Sequence, residues 1–231
     1  VQKKTSGSGV PSKIGRVQLC SAALLAGFLA HIHIANLISL PFLMLYAYWP
    51  LRNRDMRASQ KRNILWSIFW GTIGLLLLGL SHWWRFGDPF ETGRYGYYSH
   101  WVLPFEGLAA QVISPGRSLF LYSPALLIAL FGLKKLHRHQ PALFYLTLGI
   151  CLSRWVFISF RSDWYGGWGL GPRYLLPILP FAILPLAEVF SSFSKSALWK
   201  RALILGFLLF SMLLEFHLAA HSMVQWMVQL L

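Results

Sequence analysis

Long apolar runs separated by short basic connectors dominate this sequence. Several runs approach the ~20 residues that an α-helix needs to cross a hydrocarbon core of ~30 Å. All eight lysines lie in the N-terminal segment or in the connectors: Lys3, Lys4, Lys13, Lys61, Lys134, Lys135, Lys195 and Lys200. The sequence therefore predicts an all-α fold, a polytopic bundle of transmembrane helices.

Composition and charge placement favour the same class of protein. Apolar residues make up 56% of the chain and charged residues 12%. A net charge of +14 would suit a nucleic-acid-binding protein if the chain were soluble. Here the charge collects in connectors, as the positive-inside rule expects of cytoplasmic loops. We expect a lipid bilayer as partner, no nucleic acid, and cytoplasmic basic loops.

The chain divides into a short polar segment and a membrane domain. Residues 1–16 are polar, carry no signal-peptide pattern and begin with Val, which predicts a cytoplasmic segment within a longer protein. Residues 17–231 form the predicted transmembrane domain. Cys20 and Cys151 both lie in apolar runs, which supports neither a disulfide framework nor a cysteine zinc site.

We count about seven crossings. Residues 17–49 are predicted to form a short helical hairpin that turns near His31 to Asn36, with a single tilted helix as the alternative. The stretch 100–113 is apolar but too short to cross, so it predicts a helix in the outer interface. The remaining predicted spans are Asn63 to Leu80, Leu119 to Leu133 with a kink at Pro124, Ala142 to Phe160, Tyr174 to Phe190, and Ala202 to His221. In the first of these, Gly71 and Gly74 are predicted to allow a neighbouring helix to approach closely.

Arginine and lysine are distributed differently. Six basic residues lie outside the connectors, within spans or on the predicted outer side, and all are arginines: Arg85, Arg94, Arg117, Arg154, Arg161 and Arg173. A guanidinium presents a rigid fork of donors that matches phosphate or carboxylate oxygens, whereas lysine is a flexible point charge. The outer face is therefore predicted to hold anions. The alternative is internal ion pairing with Asp88, Glu91, Glu106 and Asp163.

Arg117 and Arg173 are the stronger candidates for phosphate binding. Each follows Gly and Pro at the start of a predicted helix, where backbone N–H groups favour negative charge. Arg161 and Arg154 are further candidates. Arg154 lies inside a predicted span and requires a polar partner, because an unpaired charge at mid-depth costs at least ~2.5 kcal/mol.

Three motifs together resemble a known family. They are Arg85-Phe-Gly-Asp-Pro-Phe-Glu-Thr-Gly, then Glu106-Gly-Leu with Ser114-Pro-Gly-Arg-Ser-Leu-Phe-Leu-Tyr-Ser-Pro124, then Trp164-Tyr-Gly-Gly-Trp-Gly-Leu-Gly-Pro-Arg-Tyr-Leu-Leu-Pro177. In this order they resemble the later half of bacterial GT-C-type membrane glycosyltransferases, the group related to protein O-mannosyltransferases. The resemblance covers roughly residues 17 to 222.

This resemblance implies a multi-pass enzyme of the bacterial inner membrane. Such an enzyme transfers a sugar from a polyprenyl-phosphate carrier to an acceptor glycan, lipid or protein on the outer face. The family places its catalytic acidic residue in a first outer loop, to which nothing in this chain corresponds. The alternatives are a transporter or flippase for a lipid-linked anion, which also suits arginines beside broken helices, and a non-catalytic scaffold.

Other side chains receive weaker assignments. Asp163 and Glu106 are candidate acids or bases, with acceptor positioning or ion pairing as the alternative. Trp164, Tyr165 and Trp168 are candidates to line the sugar or lipid path, or to anchor the chain at the interface. Neither Asp88 with Glu91 nor His217 with His221 predicts a metal site, and no nucleotide-binding motif is present, so we expect no cofactor.

Overall fold

The computed structural model describes residues 20–27, 34–49, 58–90, 100–167, 171–193 and 196–220, and these residues form helices without any strand. The helices are α1 (20–27), α2 (Leu40–Tyr48), α3 (Ala58–Phe86), α4 (Phe105–Ile113), α5 (Leu119–Tyr122), α6 (Ala125–His139), α7 (Pro141–Ser159), α8 (Leu179–Ala182), α9 (Leu186–Phe190) and α10 (Leu198–Ala220). Two 3-10 helices, Ile34–Ser39 and Arg173–Ile178, precede α2 and α8. The all-helical fold class is confirmed for this part of the chain.

Among the residues that the structure describes, three helical stretches are long and apolar enough to cross a membrane. They are Arg62–Phe86, Pro141–Ser159 and Arg173–Ser191. The chain therefore has the character of a membrane protein. The count of seven crossings, the cytoplasmic side of the basic loops and the interfacial position of α4 remain predictions. The hairpin turn was predicted near His31 to Asn36. Residues 28–33 lie outside the described part, and Ile34–Ser39 form a 3-10 helix.

The contacts divide the chain into two compact units. One contains the described residues of 1–40 and 50–92, and the other those of 41–49 and 93–231. In the first unit the backbones of α1 and α3 meet at Gly27 and Gly74, where a Cβ on either would lie 2.9 Å from the other's Cα. The expectation that Gly74 allows a neighbouring helix to approach closely is confirmed.

The core of the second unit lies along α7. Leu146, Ile150 and Ile158 on this helix are buried together with Leu175 and Ile178 of the second 3-10 helix. Phe42 and Leu43 of α2 pack against the same cluster. Because the helix α7 has apolar residues on nearly every side, it can face the core on one side and lipid on the other.

Prolines shape the helices that pack on α7. Ser123 and Pro124 separate α5 from α6, so the expected kink is a full break in the helix. Pro177 lies inside the second 3-10 helix and Pro185 ends the turn between α8 and α9, which explains why residues 173–191 form three short pieces. Gly132 of α6 allows that helix to contact the Pro185 backbone directly.

The second unit has two chemically different ends. At one end, which we call the lysine end, the C-terminal turn of α6 meets α9 through Lys135, His139 and Glu188. At the other, which we call the arginine end, the segments 100–104, 114–118 and 160–173 come together beside the C-terminus of α7. The described residues that the sequence predicted for the site lie at or near the arginine end: Glu106, Arg117, Arg154, Arg161, Asp163, Trp164, Tyr165 and Arg173.

Candidate functional site

Two short segments form the base of the arginine end. The Val102 N–H donates to the Phe160 carbonyl at 2.8 Å, and the Ser162 N–H donates to the His100 carbonyl at 2.8 Å. Beside them α4 packs closely on α7, since a Cβ on Gly107 would lie 2.8 Å from the Cα of Ser159. These contacts fix the position at which the chain leaves α7.

Arg161 and Asp163 form a two-pronged ion pair. The Arg161 Nε donates to Asp163 Oδ1 at 2.9 Å, and its Nη2 donates to Oδ2 at 2.8 Å. The Tyr174 hydroxyl donates to the same Oδ2 at 3.4 Å. The pair is largely buried, with 9% of the Arg161 side chain and 26% of the Asp163 side chain exposed. Both oxygens of this carboxylate therefore already accept hydrogen bonds from the protein.

Arg154 has the polar partner that its position requires. Arg154 is 2% exposed and lies about 8 Å before the end of α7. Its Nε donates to the Tyr174 carbonyl at 2.9 Å. In a 3-10 helix that carbonyl would normally accept from residue 177, which is a proline and has no N–H. The guanidinium therefore satisfies a carbonyl that Pro177 leaves without its usual donor.

Arg117 binds both described edges of the glycine-rich loop 166–171, of which residues 168–170 lie outside the described part. Its Nη2 donates to the Gly167 carbonyl at 2.5 Å and its Nη1 to the Gly171 carbonyl at 3.3 Å. The Gly171 N–H in turn donates to the Gly116 carbonyl at 3.0 Å. Gly166 and Gly171 have φ of +75° and +77°, a conformation that other residues rarely adopt. The loop thus combines a turn that needs glycine with an arginine that binds its carbonyl oxygens.

Arg173 differs from the other three arginines. It is exposed, and no described residue forms a hydrogen bond or an ion pair with its guanidinium. Its Cβ lies close to the turn at Gly166, where an added Cβ would be 3.3 Å away. The stem of Arg173 is therefore placed by the loop while its charged end faces outward.

The two helices whose N-termini were predicted to bind phosphate are short. Arg173 begins a six-residue 3-10 helix, and Arg117 precedes a four-residue α-helix whose Ser118 hydroxyl already accepts from the Leu121 N–H at 3.2 Å. Helices of this length supply little dipole, so binding of an anion here would depend on the guanidinium itself.

The aromatic candidates lie beside Arg117. Tyr165 is 46% exposed, and its ring lies 6.0 Å from the Arg117 guanidinium carbon. Trp164 packs edge-on against Tyr165 with ring centroids 5.9 Å apart and also contacts the α7 core. Trp168 lies outside the described residues. Trp164 therefore anchors the loop, while Tyr165 offers an exposed ring surface.

The remaining acidic and histidine candidates are dispersed. Glu106 is exposed in the first turn of α4, and no described residue pairs with it. Asp88, in the first unit, accepts from the Phe90 N–H at 2.8 Å and so stabilises a turn. His217 lies in α10, and Glu91, Arg94 and His221 lie outside the described residues. Among the residues described, no group of three His, Cys, Asp or Glu could hold a metal ion.

The polar cluster at the lysine end was not predicted from the sequence. Glu188 is buried, accepts from His139 Nδ1 at 3.1 Å and lies 3.8 Å from Lys135 Nζ. Lys135 also donates to the Ser191 hydroxyl. The sequence does contain a signal for this cluster. Glu188 is a single acidic residue inside an apolar stretch, where a carboxylate without a partner is unfavourable.

No family model matches this chain, and neither a curated protein nor a solved structure is significantly similar to it.

Proposed function

We propose that this chain is part of a membrane glycosyltransferase that takes a sugar from a polyprenyl-phosphate carrier, and that Arg173 binds the carrier phosphate. The observation that carries the proposal is a difference in contacts among four neighbouring arginines. Arg117, Arg154 and Arg161 each bind protein oxygens, whereas Arg173 is exposed and without a protein partner among the described residues. An arginine held in place by its stem and open at its fork suits a phosphate oxyanion.

The other residues then act through the loop. Arg117 fixes the carbonyls of Gly167 and Gly171, and Arg161 with Asp163 fixes the segment that leads into them. Their role is to position Arg173 at the apolar surface, where the lipid part of a carrier would lie. Tyr165 offers a ring face for a sugar, because aromatic rings pack against the apolar face of such groups.

Glu106 is the better of the two acidic candidates for contact with an acceptor. It is exposed and unpaired among the described residues, whereas Asp163 is bound by Arg161 and Tyr174. The resemblance described above implies that the catalytic carboxylate lies elsewhere in the protein. We therefore assign Glu106 to acceptor positioning.

Carrier binding by Arg173 can be measured on the chain in lipid nanodiscs. Polyprenyl phosphate should bind at least about tenfold more tightly than the polyprenol of equal length, since a charge-assisted hydrogen bond contributes ~1.5–3 kcal/mol. Arg173→Lys keeps the charge but loses the fork, and should remove most of this preference. Arg138→Lys, an exposed arginine in the last turn of α6, is the matched control. Unchanged phosphate preference in Arg173→Lys would exclude Arg173 from the site.

Sugar transfer needs a separate measurement. The longer protein of which this chain is proposed to be a part is incubated with a panel of hexosyl polyprenyl phosphates and an acceptor extract, and release of the bare carrier phosphate is followed. Consumption of one donor that depends on Arg173 supports transfer. Movement of the intact donor across vesicle membranes, without its consumption, would instead favour a transporter.

A further inference from the structure

An apolar cavity of about 230 Å³ lies between α6, α7 and the stretch 175–185, with α4 contributing Gln111 and Val112. Along α7 its lining residues run from Thr147 to Trp155, a length of about 12 Å. None of the described residues that line it is charged. The lining residues Leu130 and Leu152 are 49% and 43% exposed, so the cavity reaches the apolar surface between α6 and α7.

Two buried polar atoms in this cavity lack a hydrogen-bond partner. They are Gln111 Oε1 and Thr147 Oγ1, on residues that are 2% and 3% exposed. Burial of an unsatisfied polar atom is unfavourable, and such atoms are rare in folded proteins. Two of them on one otherwise apolar cavity mark the positions where a ligand can form hydrogen bonds.

The hydrogen bonds of Ser159 fix the orientation of the Gln111 amide. The Ser159 hydroxyl donates to the Trp155 carbonyl at 2.8 Å, so its single proton is in use. Its oxygen can then only accept, which places Gln111 Nε2 toward it at 3.3 Å. The other amide atom, Oε1, is an acceptor. A ligand that binds it must therefore present a donor.

We propose that this cavity binds a neutral, unbranched aliphatic molecule whose hydroxyl group donates to Gln111 Oε1. The ligand is neutral because the described lining residues carry no charge, and elongated because the cavity extends along α7. An apolar cavity of ~150 Å³ holds benzene, so this one has room for about nine carbon atoms. The proposal goes beyond the carrier site at Arg173 and does not depend on it, since a carrier phosphate is anionic.

Of the α7 residues that line the cavity, Thr147 lies furthest from Ser159 along the helix. It precedes Ser159 by twelve residues, about 18 Å along α7. Its hydroxyl can donate or accept, so it places no demand on the ligand's far end. The specificity of the cavity for a donor comes from Gln111 alone.

The test uses the chain in nanodiscs and a nonanol that carries a photoreactive diazirine. Labelled peptides are identified by mass spectrometry, with 1-nonanol and its isomer 1-methoxyoctane as competitors. The two isomers have the same size, but only the alcohol can donate. We expect labelling within 147–155 and about tenfold stronger competition by 1-nonanol. Absence of label from this stretch, or equal competition by the two isomers, would overturn the proposal.

Three variants separate the amide from general packing. Gln111→Met removes the acceptor at similar volume and should abolish the preference for the alcohol. Ser159→Ala removes the hydrogen bond that orients the amide, so labelling should persist while the preference for the alcohol weakens. Ala129→Leu fills the cavity and should prevent labelling. Thermal midpoints verify that each variant is folded, and the proposal fails if folded Gln111→Met behaves like the unmodified chain.

Discussion

Gly132→Ala is a direct test of how α6 packs on the turn before α9. A methyl group at Gly132 would overlap the carbonyl oxygen of Pro185 and lie 2.7 Å from its carbonyl carbon, whereas ordinary contacts begin at 3.4 Å. Both obstacles are backbone atoms of a buried residue, so no side chain can rotate away. The two segments must separate, and overpacking of this kind costs ~1–3 kcal/mol.

Gly206→Ala is the matched control. Gly206 lies in α10, and nothing lies within 4 Å of the position that its Cβ would take. Both substitutions gain the same helix propensity, about 1 kcal/mol, so the difference between the two variants isolates the steric cost. Gly206→Ala should therefore raise the stability, whereas Gly132→Ala should lie ~1–3 kcal/mol below it.

Thermal unfolding of the purified chain in detergent measures this difference. For a protein of this size each kcal/mol shifts the midpoint by about 2–4 °C, so the two variants should differ by about 2–12 °C. Equal midpoints would mean that α6 and the Pro185 turn are not in backbone contact. That result would also remove the basis for the cavity that these segments enclose.

Two further predictions concern the polar contacts at the two ends. Glu188→Gln should lower the free energy of unfolding by about 1–3 kcal/mol, because Lys135 loses its counter-charge and the buried carboxylate loses its charge-assisted hydrogen bonds. The thermal midpoint measures this loss, and a midpoint equal to that of the unmodified chain would contradict it. Arg117→Lys should expose the glycine-rich loop to chymotrypsin after Tyr165 about tenfold faster, since one ammonium cannot bind both loop carbonyls. Cleavage as slow as in Arg138→Lys would refute that role.

Several features of the fold were predicted correctly from the properties of single residues. Arg154 was expected to need a polar partner inside its span, and it binds the Tyr174 carbonyl. Pro124 was expected to interrupt a helix, and α5 ends before it. Gly74 was expected to permit close helix approach, and it meets Gly27. In each case the physical requirement belongs to the residue itself, so it is visible without knowledge of the fold.

The identity of each partner was not predictable. Arg154 and Tyr174 are twenty residues apart, and the carbonyl is available only because Pro177 withdraws an N–H within a 3-10 helix. Arg117 and Arg173 looked equivalent in sequence, and the geometry of their surroundings alone separates them. The cavity could not be predicted from the sequence for a different reason. It depends on how the side chains of several helices pack together, and no single residue type determines that.

The arrangement of the arginines also affects how tightly a phosphate would bind at Arg173. A flexible loop that becomes ordered around a phosphate would lose conformational entropy on binding and weaken the complex. Here Arg117 already binds Gly167 and Gly171, and Arg161 already binds Asp163, so these residues are held in place within the protein. Because that cost is met during folding, contact of Arg173 with an anion would require the ordering of little more than its own side chain. The internal arginines and the exposed one are thus complementary, which explains why a site for one phosphate would contain several guanidinium groups.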